Sequence, residues 1–109
     1  KKNKVLLSIY MPCNYEVDTA SLFNLKKMKT VETLIPVIKK NNLMKFYKWS
    51  KNETLIVNKL GILEPVVQKR SFIPDVILLP LLCFDSKKYR LGYGKGYYDR
   101  YLTFAKKKK

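Results

Sequence analysis

The chain has no histidine and two cysteines, Cys13 and Cys83, with no CxxC spacing. A zinc site built from Cys and His is therefore not expected, and the two thiols read as buried or tolerated in a reducing compartment. Arginine is scarce: Arg70, Arg90 and Arg100 are the only ones among 23 basic residues. Bidentate reading of bases relies on arginine, so the net charge of +15 does not by itself point to a sequence-specific nucleic-acid binder. The lysines are spread along the chain with clusters at both ends, and solvated surface lysine is the preferred reading over a basic nucleic-acid-binding module. No apolar run approaches the ~20 residues of a membrane span. The basic N-terminus precedes an apolar stretch too short for a secretory signal and broken by Tyr10, Pro12 and Asn14. A cytoplasmic protein with no membrane partner is the expectation. At 109 residues and 47% hydrophobic content, one globular domain with a modest core fits.

Glycine is also scarce, which makes its placement informative. Three of the four glycines, Gly92, Gly94 and Gly96, alternate within Arg90-Leu91-Gly92-Tyr93-Gly94-Lys95-Gly96-Tyr97-Tyr98-Asp99. Upstream lies the most apolar stretch, residues 76–84. Strand, glycine loop and helix in that order build an anion site. Glycine amides approach a ligand closely, and a helix N-terminus adds partial positive charge. Lys95 brings a full charge to a phosphate oxygen, and Arg90 a planar fork of donors. Asp99, in the expected first turn, is of the type that holds a magnesium ion bridging phosphates. The spacing matches neither GxxxxGK[ST] nor GxGxxG. On residues alone, a glycine-rich turn with solvated lysines, Asp99 serving only the helix dipole, remains the alternative.

The segment closely resembles the signature of the 5-formyltetrahydrofolate cyclo-ligase (methenyltetrahydrofolate synthetase) family. A strand ending Phe84-Asp85, a short turn, then Arg90-Leu91-Gly92, Gly94, Gly96 and Tyr97-Tyr98-Asp99 carry the match. Ser8-Ile9-Tyr10 with Glu16-Val17-Asp18-Thr19 resembles the family's first strand and the acidic turn after it. Gly61-Ile62-Leu63-Glu64-Pro65 resembles its middle element. The likeness implies Mg2+- and ATP-dependent cyclisation of 5-formyltetrahydrofolate to 5,10-methenyltetrahydrofolate, with release of ADP and phosphate. It implies that Arg90, Leu91, Gly92, Tyr93, Gly94, Lys95, Gly96, Tyr97 and Tyr98 wrap the ATP phosphates. Tyr93, Gly94, Lys95, Gly96 and Tyr97 would also approach the folate, with Met11 and Glu16. Asp99 would be the magnesium ligand, and Lys95, Arg90 and Tyr97 the catalytic set. The family's helix before the first strand and its segment after the last helix have no counterpart here. The expectation is a monomeric fragment, one partial domain over residues 1–109, with an inactive remnant as the alternative.

Along the chain the pattern predicts a first strand at 5–10 and a loop at 11–15. A helix capped by Asp18 or Thr19 is expected to run to about residue 29. Strands follow at 33–37, 44–49 and 55–57, with Pro36 demanding an edge position or a bulge. Residues 61–65 read as extended and irregular, and 76–82 as a central parallel strand covered on both faces. A last helix begins at Tyr97, and the lysines at 106–109 read as a disordered tail. The order points to a three-layer, Rossmann-like α/β sandwich with a mainly parallel sheet, here incomplete. Ligands in such sheets bind beyond the carboxyl ends of the strands, which would bring 11–16 near 84–96. Of the adjacent tyrosines, Tyr97 is expected toward ligand and Tyr98 toward the core. Phe46 and Trp49 could stack on a pterin or aminobenzoyl ring, though core packing is the preferred reading. Asp85 and Glu64 stay unassigned.

Overall fold

The computed structural model describes residues 4–11, 19, 30–40, 43–59, 61–66, 70–80, 83–87, 90–91 and 96–108, with the backbone alone at 83–84 and 90–91. A mixed sheet of order β3-β2-β1-β6 forms its centre. β1 (Val5–Ser8) runs parallel to β2 (Val31–Ile38) and to β6 (Val76–Ile77). β3 (Met44–Lys48) runs antiparallel to β2. β4 (Leu55–Val57) with β5 (Leu63–Pro65), and β7 (Cys83–Phe84) with β8 (Arg90–Leu91), form two antiparallel hairpins. α1 (Tyr97–Lys108) closes the described chain.

Side-chain alternation divides the sheet into two apolar faces. On one face Leu34, Met44 and Phe46 pack with Tyr101 of α1, flanked by Leu6, Ile77, Tyr97, Tyr98 and Ala105. The Tyr101 ring meets Phe46 edge-on, with centroids 4.7 Å apart at 70°. On the other face Ile9, Ile35 and Trp49 gather Leu7, Met11, Leu55 and Leu78. Both faces being apolar agrees with an α/β architecture. The helix expected before residue 29 lies outside the described residues, apart from Thr19.

Pro36 departs from its expected place, because β2 is an interior strand. Backbone direction explains its tolerance. The Thr33 carbonyl accepts the Trp49 N–H from the β3 side, and the Leu34 carbonyl accepts the Ile9 N–H from the β1 side. Alternation then turns the Pro36 nitrogen toward β1. The β1 pairing ends at Leu34, so no ladder bond is lost there. Two residues on, the Ile38 N–H faces the same notch and donates to Glu64 Oε2 at 2.9 Å.

Glu64 therefore has a structural place. It is buried on β5, and the same oxygen also accepts from Asn58 Nδ2 at 2.9 Å. Asn58 shapes the hairpin turn. Its carbonyl accepts the Gly61 N–H at 3.0 Å, and its Oδ1 accepts the Ile62 N–H at 3.0 Å. Gly61, at φ 78°, occupies the left-handed region glycine takes without cost. The segment expected to be irregular is thus a hairpin clamped to β2.

The apolar run at 76–82 also departs from expectation. Only Val76 and Ile77 form strand, at the edge of the four-stranded sheet among the described residues, and Val76 is exposed. Pairing with β1 begins with a reciprocal contact: Leu6 N–H donates to the Asp75 carboxylate and Asp75 N–H to the Leu6 carbonyl. Its last bond is Leu78 N–H to the Ser8 carbonyl, while Ile9, facing β2 by strand alternation, donates to the Leu34 carbonyl. β1 itself ends at Ser8, short of residue 10.

α1 starts where expected and extends further. Its first turn carries Asp99 and its last turn Lys106, Lys107 and Lys108, charges that suit the two poles of the helix dipole. Those three lysines are helical where a disordered tail was expected, because propagating an existing helix costs little.

Candidate functional site

The register of the sheet sets the site. Leu7 pairs with Val76 and Ser8 with Ile77 in parallel, so both strands finish at the same edge. Ile9, Tyr10 and Met11 leave β1 there, beside Leu78, Leu79 and Pro80 leaving β6. Met11 is half-buried against the Ile9–Ile35–Trp49 cluster. Thr19, buried, donates its hydroxyl to the Tyr10 carbonyl at 2.6 Å. This returns the chain to the end of β1 nine residues later. Glu16 lies outside the described residues, in the sequence between those tied points.

From β6 the chain passes to the β7–β8 hairpin, where Phe84 pairs with Arg90 and Cys83 with Leu91. The Asp85 carboxylate accepts the Lys87 N–H at 2.9 Å, a local turn that gives this residue a structural reason. Arg90 and Leu91 are thus placed by the backbone as β8, an element absent from the expected strand–loop–helix order. Gly92, Tyr93, Gly94 and Lys95 lie outside the described residues.

Gly96 joins this segment to α1. Its carbonyl accepts the Arg100 N–H at 3.0 Å, and its φ of 72° lies in the left-handed region. A Cβ at this position would stand 3.0 Å from Arg100 Nη1, so the guanidinium folds back over the helix start. The same guanidinium lies over the Tyr97 ring, 5.2 Å from its centroid. Tyr98 packs against the cluster around Tyr101 as expected, and the half-buried Tyr97 packs there too, so contact with the core does not separate the two. Spacings of four and three residues to Tyr101 put both beside one stripe.

Asp99 is exposed on the first turn of α1, and its backbone carbonyl accepts the Thr103 hydroxyl at 3.2 Å. Among the described residues no group of three or more His, Cys, Asp or Glu comes together. A magnesium ion shared with phosphates needs only one or two carboxylates and water, a demand that Asp99 as a single donor fits.

Phe46 is fully buried and Trp49 nearly so, which makes both core residues and removes the ring-stacking reading. The Trp49 indole N–H donates to the Glu53 carbonyl at 3.0 Å, and the Thr33 hydroxyl donates to the Trp49 carbonyl. A cavity of about 370 Å³ between Lys4, Glu32, Lys48, Trp49 and Ser50 opens at the opposite end of the sheet and contains neither Met11 nor any residue of the 90–99 signature. Among the described residues, no helix is long and apolar enough to cross a membrane.

Two residues near the site make contacts that the sequence did not suggest. Thr19 read only as a cap, and a hydroxyl reaching nine residues back leaves no local pattern. Arg100 follows Asp99 directly, and its fold-back onto Gly96 follows from helical side chains leaning toward the N-terminus.

A family model described as the 5-formyltetrahydrofolate cyclo-ligase family matches residues 2–109. A Schizosaccharomyces pombe protein named as a probable 5-formyltetrahydrofolate cyclo-ligase is 36% identical, over 91% of this chain and 51% of its own length. The 5-formyltetrahydrofolate cyclo-ligase of Mycoplasma genitalium is 33% identical, over 94% of this chain and 53% of its own. The NMR structure of Aquifex aeolicus 5,10-methenyltetrahydrofolate synthetase aligns with a TM-score of 0.68 at 37% identity, covering 93% of this chain and 51% of that one. The chain spans about half the length of the curated relatives it matches.

Proposed function

The chain belongs to the 5-formyltetrahydrofolate cyclo-ligase family, and from that premise we propose that it is part of an ATP-dependent enzyme that closes 5-formyltetrahydrofolate to 5,10-methenyltetrahydrofolate. The observation that carries the proposal is the Arg90–Asp99 signature in the sequence, whose described ends are β8 and the first turn of α1, with Gly96 at positive φ. In this reading the formyl oxygen attacks the γ-phosphorus of ATP and ADP departs. Nitrogen 10 of the folate then attacks the activated carbon and phosphate leaves. Little covalent chemistry falls to the protein, whose work is to place two substrates and balance charge.

The proposed roles follow residue by residue. Lys95 and Arg90 neutralise phosphate charge, and the backbone from Leu91 through Tyr98 encloses the phosphates. Tyr93, Gly94, Gly96 and Tyr97 lie toward the folate, joined by Met11 and Glu16. Asp99 would hold magnesium, which would supply positive charge against the phosphates. A three-layer, Rossmann-like sandwich completed by both apolar faces of the sheet, a monomeric state and a cytoplasmic setting belong to the same proposal. The parallel exit of β1 and β6 at one edge supports it by bringing Met11 to the side where β6 leads on toward the signature.

The test is direct. The purified chain is mixed with 5-formyltetrahydrofolate and Mg-ATP, and methenyltetrahydrofolate is followed by its near-ultraviolet absorbance beside Lys95→Ala. Product from the parent and at least about a hundredfold less from Lys95→Ala is the expected result, since a charge on a transferring phosphoryl group acts mainly in the transition state. Product at the same rate from both would remove the phosphate role of Lys95.

A further inference from the structure

The Tyr10 carbonyl accepts a hydrogen bond from a side chain far along the sequence. Thr19 Oγ1 donates to it at 2.6 Å, and both residues are buried. Threonine hydroxyls most often bond locally, three or four residues back. Here the partner is nine residues back, on the peptide unit that joins Tyr10 to Met11. That unit is planar and rigid, so fixing its oxygen fixes the direction from which the Met11 backbone departs.

Met11 needs such a restraint. Its side chain has three rotatable bonds and adapts to what it touches, so any definition in its contacts must come from the backbone. Met11 sits half-buried at the end of β1, its apolar stem against the Ile9–Ile35–Trp49 cluster, at the edge where β6 also ends.

We propose that Thr19 is a positioning residue for the folate side of the site, acting through the Tyr10 carbonyl on Met11. The inference rests on the reading of Met11 as a folate contact. It separates Thr19 from residues that merely stabilise the fold, because its loss acts on one substrate and not on the other.

The experiment is calorimetric titration of the purified chain with 5-formyltetrahydrofolate and, separately, with Mg-ATP. Parent, Thr19→Val, Thr19→Ser, Met11→Ala and the Thr19→Val/Met11→Ala pair are compared. Thr19→Val is expected to weaken 5-formyltetrahydrofolate about tenfold and to leave Mg-ATP within about twofold, the signature of lost positioning at one substrate. Thr19→Ser keeps the hydroxyl and should bind like the parent. With Met11 already replaced, Thr19→Val should add little. Unchanged folate affinity, or equal weakening of both ligands, would overturn the inference. If Thr19→Val does not fold, Thr19→Ser decides: parent-like folate affinity supports the assignment and a tenfold loss sinks it. A folded parent that binds no 5-formyltetrahydrofolate would overturn the functional reading itself, an outcome visible before any substitution is made.

Discussion

Glu64 offers the sharpest test of how the hairpin is held to the sheet. Its Oε2 accepts the Ile38 N–H and the Asn58 Nδ2, each at 2.9 Å, in a buried setting. A hydrogen bond to a charged group contributes about 1.5–3 kcal/mol, and a buried donor left without a partner costs about 1–3 kcal/mol. Because the two effects overlap, Glu64→Ala should cost about 3 kcal/mol rather than their sum. At about 4–8 °C per kcal/mol for a chain of this size, the melting temperature should fall by about 12–24 °C. Glu64→Gln keeps one carbonyl-type acceptor for the two donors and should lose about 1 kcal/mol, the difference between charged and neutral bonds. Thermal unfolding followed by circular dichroism reads both variants, and exchange of the Ile38 amide reads the lost partner directly. A drop below about 4 °C in Glu64→Ala, or an Ile38 amide as protected as in the parent, would refute this account of the clamp.

The other predictions concern α1. The Tyr101 hydroxyl is buried and has no hydrogen-bond partner among the described residues, so Tyr101→Phe should raise stability by about 1 kcal/mol in denaturant titration, whereas Tyr101→Ala should cost about 3–5 kcal/mol through the cavity beside Phe46. Burial holds the Tyr101 phenol above its ordinary value, so the folded state keeps its proton where the unfolded chain loses it. Stability from this group is full below about pH 10 and lost as pH rises further, and Tyr101→Phe should flatten that part of the stability profile relative to the parent. Gly96→Ala should cost about 1–2 kcal/mol for a left-handed alanine, and adding Arg100→Ala should recover only the crowding against the guanidinium, read as unequal melting shifts in the single and double variants.

What could be read in the sequence was whatever depends on neighbours in the chain. The short apolar stretches at 33–37 and 44–49 marked β2 and β3, and the glycine loop ahead of Tyr97 marked the start of α1. The signature at 90–99 suggested an anion site because its residue types are adjacent, and residues 92–95 at its centre lie outside the described residues. Pro36 shows the other case. Its rule is sound, but it applies to one side of a strand, and which side of β2 lies open depends on where β1 stops. The run at 76–82 departs from expectation because apolar content marks burial in general, while strand length is set by pairing: the register with β1 covers Val76 and Ile77, and Leu78 N–H to the Ser8 carbonyl is its last bond. Glu64 and Thr19 complete the argument. Each is a polar residue whose meaning lies in a partner far away, Ile38 in one case and Tyr10 in the other. In both cases the partner is a backbone group at a point where a strand ladder runs out: beyond the end of β1 on one side of β2, and at the end of β1 itself. A sheet that ends unevenly leaves such groups exposed to desolvation, and buried polar side chains are what satisfy them. That requirement is why residues beside the candidate site can look unremarkable in the chain and still fix its geometry.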